Sequence, residues 1–177
     1  MNKITALAPA RTCLFGDHQD YLGLPIIACA INRYIKLTAT ENNNCIFYIK
    51  LLDIQQERSI AIHHPLKNLD AKDYLLAALK VLKRYGCIPT KGYTICISGN
   101  IPINAGLSSS SAFTIVWIRF LVEAFGCFQE ITPGFIAQIA YEAEVLEQDA
   151  SGGKMDQYSI SIGNNIYLET GSTTLYK

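Results

Sequence analysis

The sequence predicts an α+β fold, on three observations. Runs rich in β-branched and aromatic residues alternate with stretches whose apolar residues recur at helical spacing. Half of the 177 residues are hydrophobic, enough for one domain with a sizeable core. No internal repeat, low-complexity tract or interdomain linker divides residues 1–177.

Thr5 to Phe15 reads as a strand that carries Arg11 toward a turn at Gly16, and Asp17 to Gly23 is polar and turn-like. Ile26 to Thr40 is apolar and β-branched, with Asn32 and Arg33 in its middle, and is predicted as one long strand. Glu41 to Asn44 is a turn and Cys45 to Leu52 another strand, so these two strands are expected to form a hairpin. His63 and His64, between Ile62 and Pro65, are assigned to a loop. Leu75, Leu76, Leu79 and Leu82 place a helix over 73–84, with Gly86 as its stop. Tyr93 to Ser98 alternates as a strand. Ala112 to Phe125 is a helix, apolar almost all round and therefore central, on which Arg119 and Glu123 are expected to form a surface pair. Thr132 as N-cap and Pro133 at the first position open a further helix that runs to about Gln148. Ile160 to Glu169 returns to strand.

Composition excludes some functions. Lys+Arg and Asp+Glu balance at 15 each, so no chain-wide field draws nucleic acid or an anionic membrane, and neither is expected as a partner. Gly92 to Ile118 holds no charged residue, but Pro102, Asn100, Asn104 and four serines make it a buried strand, loop and helix rather than a membrane span. The six cysteines, Cys13, Cys29, Cys45, Cys87, Cys96 and Cys127, form no Cys-x-x-Cys pair. The apolar run from Ile4 to Ala8 is too short for a signal-peptide core and meets Pro9. A reducing cytoplasm is the expected location.

The most informative segment is Pro102-Ile-Asn-Ala-Gly-Leu-Ser-Ser-Ser-Ser-Ala112, between a strand and the long apolar helix. Gly106 lets the backbone approach a ligand closely. The first N–H groups of the helix lack intrahelical partners and carry the positive end of its dipole, so phosphate fits there without a lysine. The serine hydroxyls can cap the helix, donate to phosphate or ligate a metal. The common P-loop is excluded, since no Gly-Lys-Ser/Thr follows.

Two further segments complete a pattern: Pro9-Ala-Arg-Thr-Cys-Leu-Phe-Gly-Asp-His-Gln-Asp-Tyr21, and Ala140-Tyr-Glu-Ala-Glu144 followed by Ser151-Gly-Gly-Lys-Met-Asp-Gln-Tyr158. With the Gly-Leu-Ser-Ser-Ser loop between them, and in that order, they resemble the GHMP kinase superfamily (galactokinase, homoserine kinase, mevalonate kinase, phosphomevalonate kinase). The resemblance covers essentially the whole chain. Gly16-Asp-His-Gln-Asp-Tyr21 is similar to the galactokinase signature Gly-Glu-His-x-Asp-Tyr, whereas mevalonate kinases lack the Asp-Tyr pair.

The resemblance implies the GHMP N-terminal domain, of the ribosomal-protein-S5 domain-2-like kind, and an ATP- and Mg²⁺-dependent kinase of a sugar's anomeric hydroxyl. A mevalonate-type isoprenoid kinase and a non-catalytic sugar and ATP sensor are the alternatives. Such kinases continue into a second, ferredoxin-like domain. The chain ends at Lys177 just after a strand, so that domain is expected to be absent and the piece to have little activity of its own.

The resemblance makes Asp156 the carboxylate that takes the acceptor's proton and Arg11 the cation beside it. On local grounds Asp156 could instead cap a helix and Arg11 could form a salt bridge at a strand end. It gives Gly106, Leu107, Ser108, Ser109, Ser110 and Ser111 to the triphosphate, and Ser110 and Glu144 to Mg²⁺, with Ser109 and Ser111 as neighbours of Ser110. The helical stripe Ile136, Ile139, Ala140, Ala143 does not choose between Glu144 on its flank and Glu147 near its centre. Asp17, His18, Asp20 and Gly153 are assigned to the sugar, although two aspartates and a histidine also suit a solvated turn. Asp17 replaces the usual Glu and reaches one methylene less. Asn104 and Ala105 stand where many members have glycine, and Gly152-Gly153-Lys154 is one residue longer than usual, which leaves Lys154 either near phosphate or in solvent.

Overall fold

The β-branched run at 26–40 forms the spine of the molecule, strand β2 (Ile26–Glu41), in a computed structural model that describes residues 3–102, 105–171 and 173–177. Strand β1 (Lys3–Phe15) pairs antiparallel with β2 along nearly all of its length. Their register slips between Pro9 and Ala10, where Asn32 and Arg33 of β2 have no β1 partner. Extra residues of this kind bend the strand that carries them, here β2, opposite the Pro9–Ala10 step of β1 that precedes Arg11. The turn after β1 ends in a short 3₁₀ helix, Asp20–Leu22.

The predicted hairpin between 26–40 and 45–52 does not form. Strand β3 (Ile46–Leu51) is separated from β2 by β5 (Tyr93–Gly99), which is antiparallel to residues 35–41 of β2 and parallel to β3. The hairpin partner of β3 is β4 (Gln56–Ala61), an outer strand too polar in composition to read as one. Strand β6 (Asn165–Glu169) pairs with residues 26–29 of β2, and β7 (Leu175–Tyr176) pairs with β6.

One face of this seven-stranded sheet is apolar, carrying Ala6, Ala8, Ala10, Leu37, Ala39, Phe47, Ile49, Ile60, Ile95 and Ile97, all buried. Successive side chains of a strand point to opposite faces, so Lys36, Tyr48, Lys50 and Thr94 are turned outward and exposed.

Helix α1 (Tyr74–Arg84) is capped by Asp73, whose carboxylate accepts from the Leu76 N–H at 3.2 Å and is held by the Arg58 guanidinium, Nη1 to Oδ1 at 2.9 Å. Helix α2 (Ser109–Phe125) is buried on nearly all sides, as expected. Its Trp117 is fully buried, meets Phe47 edge-on with ring centres 5.4 Å apart, and donates its indole N–H to the Leu75 carbonyl at 3.1 Å. The predicted Arg119–Glu123 pair is not formed. Because α2 is enclosed, the Arg119 guanidinium meets backbone instead, donating to the carbonyls of Leu7 and Ser161.

Helix α3 (Pro133–Tyr141) is capped by Thr132, whose hydroxyl accepts from the Phe135 N–H at 3.1 Å. The helix predicted to reach Gln148 is α-helical only to Tyr141 and continues as one π-helical turn, Glu142–Leu146. The strand predicted over 160–169 begins only at Asn165. Ile160 to Ile162 close helix α4 (Met155–Ile162), and Gly163 and Asn164, with φ of 79° and 55°, turn the chain into β6. The Ile-Ser-Ile alternation there imitates a strand. His63 and His64 lie in the turn after β4, as expected.

All six cysteines are free. Among the described residues no helix is long and apolar enough to cross a membrane. The uncharged stretch from Gly92 holds β5 and the first half of α2.

Candidate functional site

Arg11 and Asp156 lie 145 residues apart in sequence and meet where β1 ends beside α4. Arg11 Nε donates to Asp156 Oδ1 at 2.7 Å, and Nη2 lies 2.7 Å from the same oxygen. Its Nη1 donates to the Gly106 carbonyl at 2.7 Å. One guanidinium fork thus ties the acidic side chain to the small-residue loop, a geometry a lysine's point charge cannot reproduce. Arg11 is 13% exposed and Asp156 32%, so the carboxylate remains open to a reactant.

Ser108 Oγ donates to the other carboxylate oxygen, Asp156 Oδ2, at 2.5 Å. Ser108 occupies the N-cap position of α2 yet makes no capping bond, because its backbone is left-handed, with φ of 55°. A left-handed non-glycine residue is held there by its surroundings. Asp156, in the first turn of α4, is likewise not a cap, since both its oxygens are bound by other elements. Gly106 is needed for conformation, with φ of 70°, and a Cβ there would meet nothing within 4 Å. The first helical bond of α2 runs from Ala112 N–H to the Ser108 carbonyl at 3.1 Å. The amides of Ser109, Ser110 and Ser111 therefore have no intrahelical acceptor.

The π turn settles which glutamate faces inward. One extra residue per turn rotates the helix, and such turns occur frequently at functional sites. Glu144 is 7% exposed, whereas Glu147 points to α1, where Lys80 and Arg84 pair with it. Glu144 Oε2 accepts from Ser111 Oγ at 2.7 Å and from Gln157 Nε2 at 2.5 Å. Its Oε1 is buried with no partner, and so is the amide oxygen of Gln157. Burial pushes the Glu144 carboxyl up from its ordinary value. The bonds from Gln157 and Ser111 oppose that shift, and the charge of Asp156 adds to it.

Glu147 behaves oppositely. Burial works against its charge, but the bonds from Lys80 and Arg84 prevail and hold its carboxyl below 4.5. A carboxylate with a depressed folded pKa stabilises above its unfolded pKa and loses that contribution as pH falls through the folded value. Glu147→Gln should therefore cost about 1 kcal/mol at pH 7. In urea titrations the difference from wild type should vanish at pH values well below 4.5.

Two cavities meet at this loop. One of about 370 Å³ is lined by Arg11, Asp17, His18, Asp20, Tyr21, Ser111, Glu144, Gly153, Asp156 and Gln157. The other, about 590 Å³, is mostly apolar, with Ile35, Leu51, Ile54, Ile97, Ile101 and Phe113 joined by Asp53, Lys72 and Ser109. Tyr74 and Ser110 line both. Ser110 is exposed at the junction, and it is its neighbour Ser111 whose hydroxyl bonds to Glu144.

Asp17 and His18 are exposed at the rim of that cavity, 3.7 Å apart. Asp20 is buried, and its Oδ2 accepts the Met155 N–H at 3.0 Å. Lys154 points away from the loop; its ammonium donates to Thr174 Oγ1 at 2.7 Å and lies over the Tyr141 ring. Asn104 lies outside the described residues.

Sequence reasoning missed the apolar cavity, Tyr74, Lys72 and the role of Gln157. The cavity's residues come from six elements, β2, β3, the 3₁₀ turn Leu52–Ile54, α1, β5 and α2, and share no motif.

The residues fit a bound cation. An ionisable oxygen buried without a partner is costly, and Glu144 Oε1 is one. Among the described residues no three His, Cys, Asp or Glu side chains converge. Few protein ligands beside a phosphate-type loop is how Mg²⁺ is held, through one or two carboxylates and substrate phosphates.

Residues 73–164 match the family of the GHMP kinases N terminal domain, and residues 2–40 match the galactokinase galactose-binding signature. A mevalonate kinase from Thermococcus sibiricus is 31% identical over 96% of this chain and 53% of its own length. A galactokinase from Thermosipho africanus is also 31% identical, over 92% of this chain and 45% of its own. The crystal structure of Lactococcus lactis galactokinase complexed with galactose shares the fold, with a TM-score of 0.86 at 19% identity over 99% of this chain and 46% of that one. The chain spans about half the length of the curated relatives it matches. The serine loop feeding α2, the arginine-held carboxylate of α4 and these matches have one reading: the chain belongs to the GHMP kinase family, as its N-terminal domain.

Proposed function

We propose that the protein carrying this chain is an ATP-dependent kinase that phosphorylates a sugar hydroxyl, of the galactokinase type and at the anomeric position. The observation that carries it is Asp156, held by Arg11 and Ser108 at a cavity shared with the serine loop. Asp156 takes the proton of the acceptor hydroxyl as that oxygen attacks the γ-phosphorus of ATP, the bond from that phosphorus to the β-phosphate oxygen breaks, and ADP leaves. Arg11 keeps the carboxylate aimed, through its bonds to Asp156 Oδ1 and the Gly106 carbonyl. The free amides and hydroxyls of 108–111 hold the phosphates, and the apolar cavity beyond Ser110 takes the nucleobase. Phosphoryl transfer has a loose transition state, so positioning and charge stabilisation outweigh base catalysis. Ser110 and Glu144 would hold Mg²⁺, which when bound neutralises charge on the phosphate oxygens.

Charge accounting in the polar cavity supports a sugar. Besides Asp156 and Glu144, its carboxylates are Asp17 and Asp20, which suit several hydroxyls in a fixed array. Arg11, the arginine lining it, is taken by Asp156 and Gly106, and Lys154 is turned away. A carboxylate-bearing acceptor such as mevalonate would face two carboxylates there. The second reading, a mevalonate-type kinase, rests on the Thermococcus sibiricus relative.

ADP release measured with a panel of sugars and with mevalonate decides between them. Turnover on a sugar is expected, turnover on mevalonate alone establishes the second reading, and nucleotide binding without ADP release points to a sensor.

A further inference from the structure

We propose that Asp20 is a positioning residue for Asp156, acting through the backbone of α4, as well as a wall of the substrate cavity. Its kinetic consequences rest on the kinase reading; its structural consequences do not.

Asp20 is an acidic residue only 9% exposed, and Thr170, Gly23 and Met155 bond to it. Its carbonyl accepts Thr170 Oγ1 at 2.6 Å and the Gly23 N–H at 3.2 Å. Its Oδ2 accepts the N–H of Met155, the first residue of α4. The residue at the N-cap position of α4, Lys154, supplies no side-chain cap. The carboxylate of Asp20, 135 residues away in sequence, takes that place. A carboxylate at a helix N-terminus also meets the favourable end of the dipole. The next residue of α4 is Asp156.

Gly153 shows how tightly the parts are fitted. A Cβ there would stand 1.9 Å from Asp20 Oδ2 and 2.1 Å from its Cγ, so only glycine admits the carboxylate. Arg11 and Ser108 hold the carboxylate of Asp156, and Asp20 holds the turn from which it projects. One carboxylate therefore borders the substrate cavity and sets the position of the proton acceptor.

The test uses Asp20→Ala, Asp20→Asn and Thr170→Val in the protein as it is expressed, with thermal unfolding to verify folding. Amide hydrogen exchange over residues 154–158 is the first readout, and ATP hydrolysis without acceptor beside sugar kinetics is the second. Asp20→Ala should raise exchange at Met155 to Gln157 at least tenfold and lower acceptor-free hydrolysis and kcat together. Asp20→Asn keeps an oxygen for the Met155 amide, so protection and most of kcat should return while KM stays high. If Asp20→Ala does not fold, Thr170→Val, which touches nothing in the cavity, should raise the same exchange by a smaller factor. Wild-type exchange in the folded variants, or a change in KM alone, overturns the proposal. A wild-type protein without turnover would sink the kinase reading, and the exchange would still decide the role of Asp20.

Discussion

Asp156→Asn should lower turnover roughly 10²–10⁴-fold, the usual worth of general base assistance. The amide has nearly the size of the carboxylate. Its oxygen can still accept from Arg11 Nε, and its NH₂ can donate to Ser108 Oγ, so the link between β1, the serine loop and α4 survives. What is lost is the basic oxygen. Nucleotide affinity should be unchanged, because the phosphates are assigned to amides and hydroxyls of 108–111. Calorimetry with a non-hydrolysable nucleotide, an ADP-release assay and a melting curve give the three numbers needed. Full turnover by a correctly folded variant would remove Asp156 from the role assigned to it.

Trp117→Ala should cost about 3–5 kcal/mol, the range for deleting a buried large aromatic. Trp117 is fully enclosed and joins three elements: α2, on which it sits, β3 through Phe47, and α1 through the Leu75 carbonyl. It also packs on Phe120, with ring centres 5.4 Å apart. No neighbour can collapse into that volume without dragging a helix off the sheet. A domain's whole stability is about 5–15 kcal/mol, so the variant should unfold at a much lower urea midpoint with an unchanged slope. Trp117→Phe retains a ring and should lose far less. A midpoint within error of wild type for the alanine variant would contradict the packing described.

Much of this was legible in the chain before any coordinates. β2, α1, β5 and the capped start of α3 followed from β-branched runs, leucine spacing and the Thr132-Pro133 pair, all local signals. The errors fell where long-range pairing decides. Adjacency in sequence suggested a hairpin of β2 with β3, but β5, arriving later, takes the position between them. Period alone could not place Glu144, because its helix changes period at Glu142. The motif residues did converge: Arg11, Gly106, Ser108 and Asp156 are bonded to one another. The roles of Asp20, Gln157 and Ser111 lay in which oxygen each one meets, and spacing carries no record of that.

The triple pairing of β2 has a consequence during synthesis. The β1–β2 ribbon leaves the ribosome before β5, and its free side stays unpaired until β5 emerges about 50 residues later. At ~5–20 residues per second that is ~3–10 s, a long exposure for an apolar edge able to recruit another nascent chain. The remainder of that side waits longer still, for β6. Arg11 and the segment bearing Asp156 are thus brought together only after 145 further residues have been made, and a chaperone that shields extended, edge-exposed intermediates should raise the yield of folded protein.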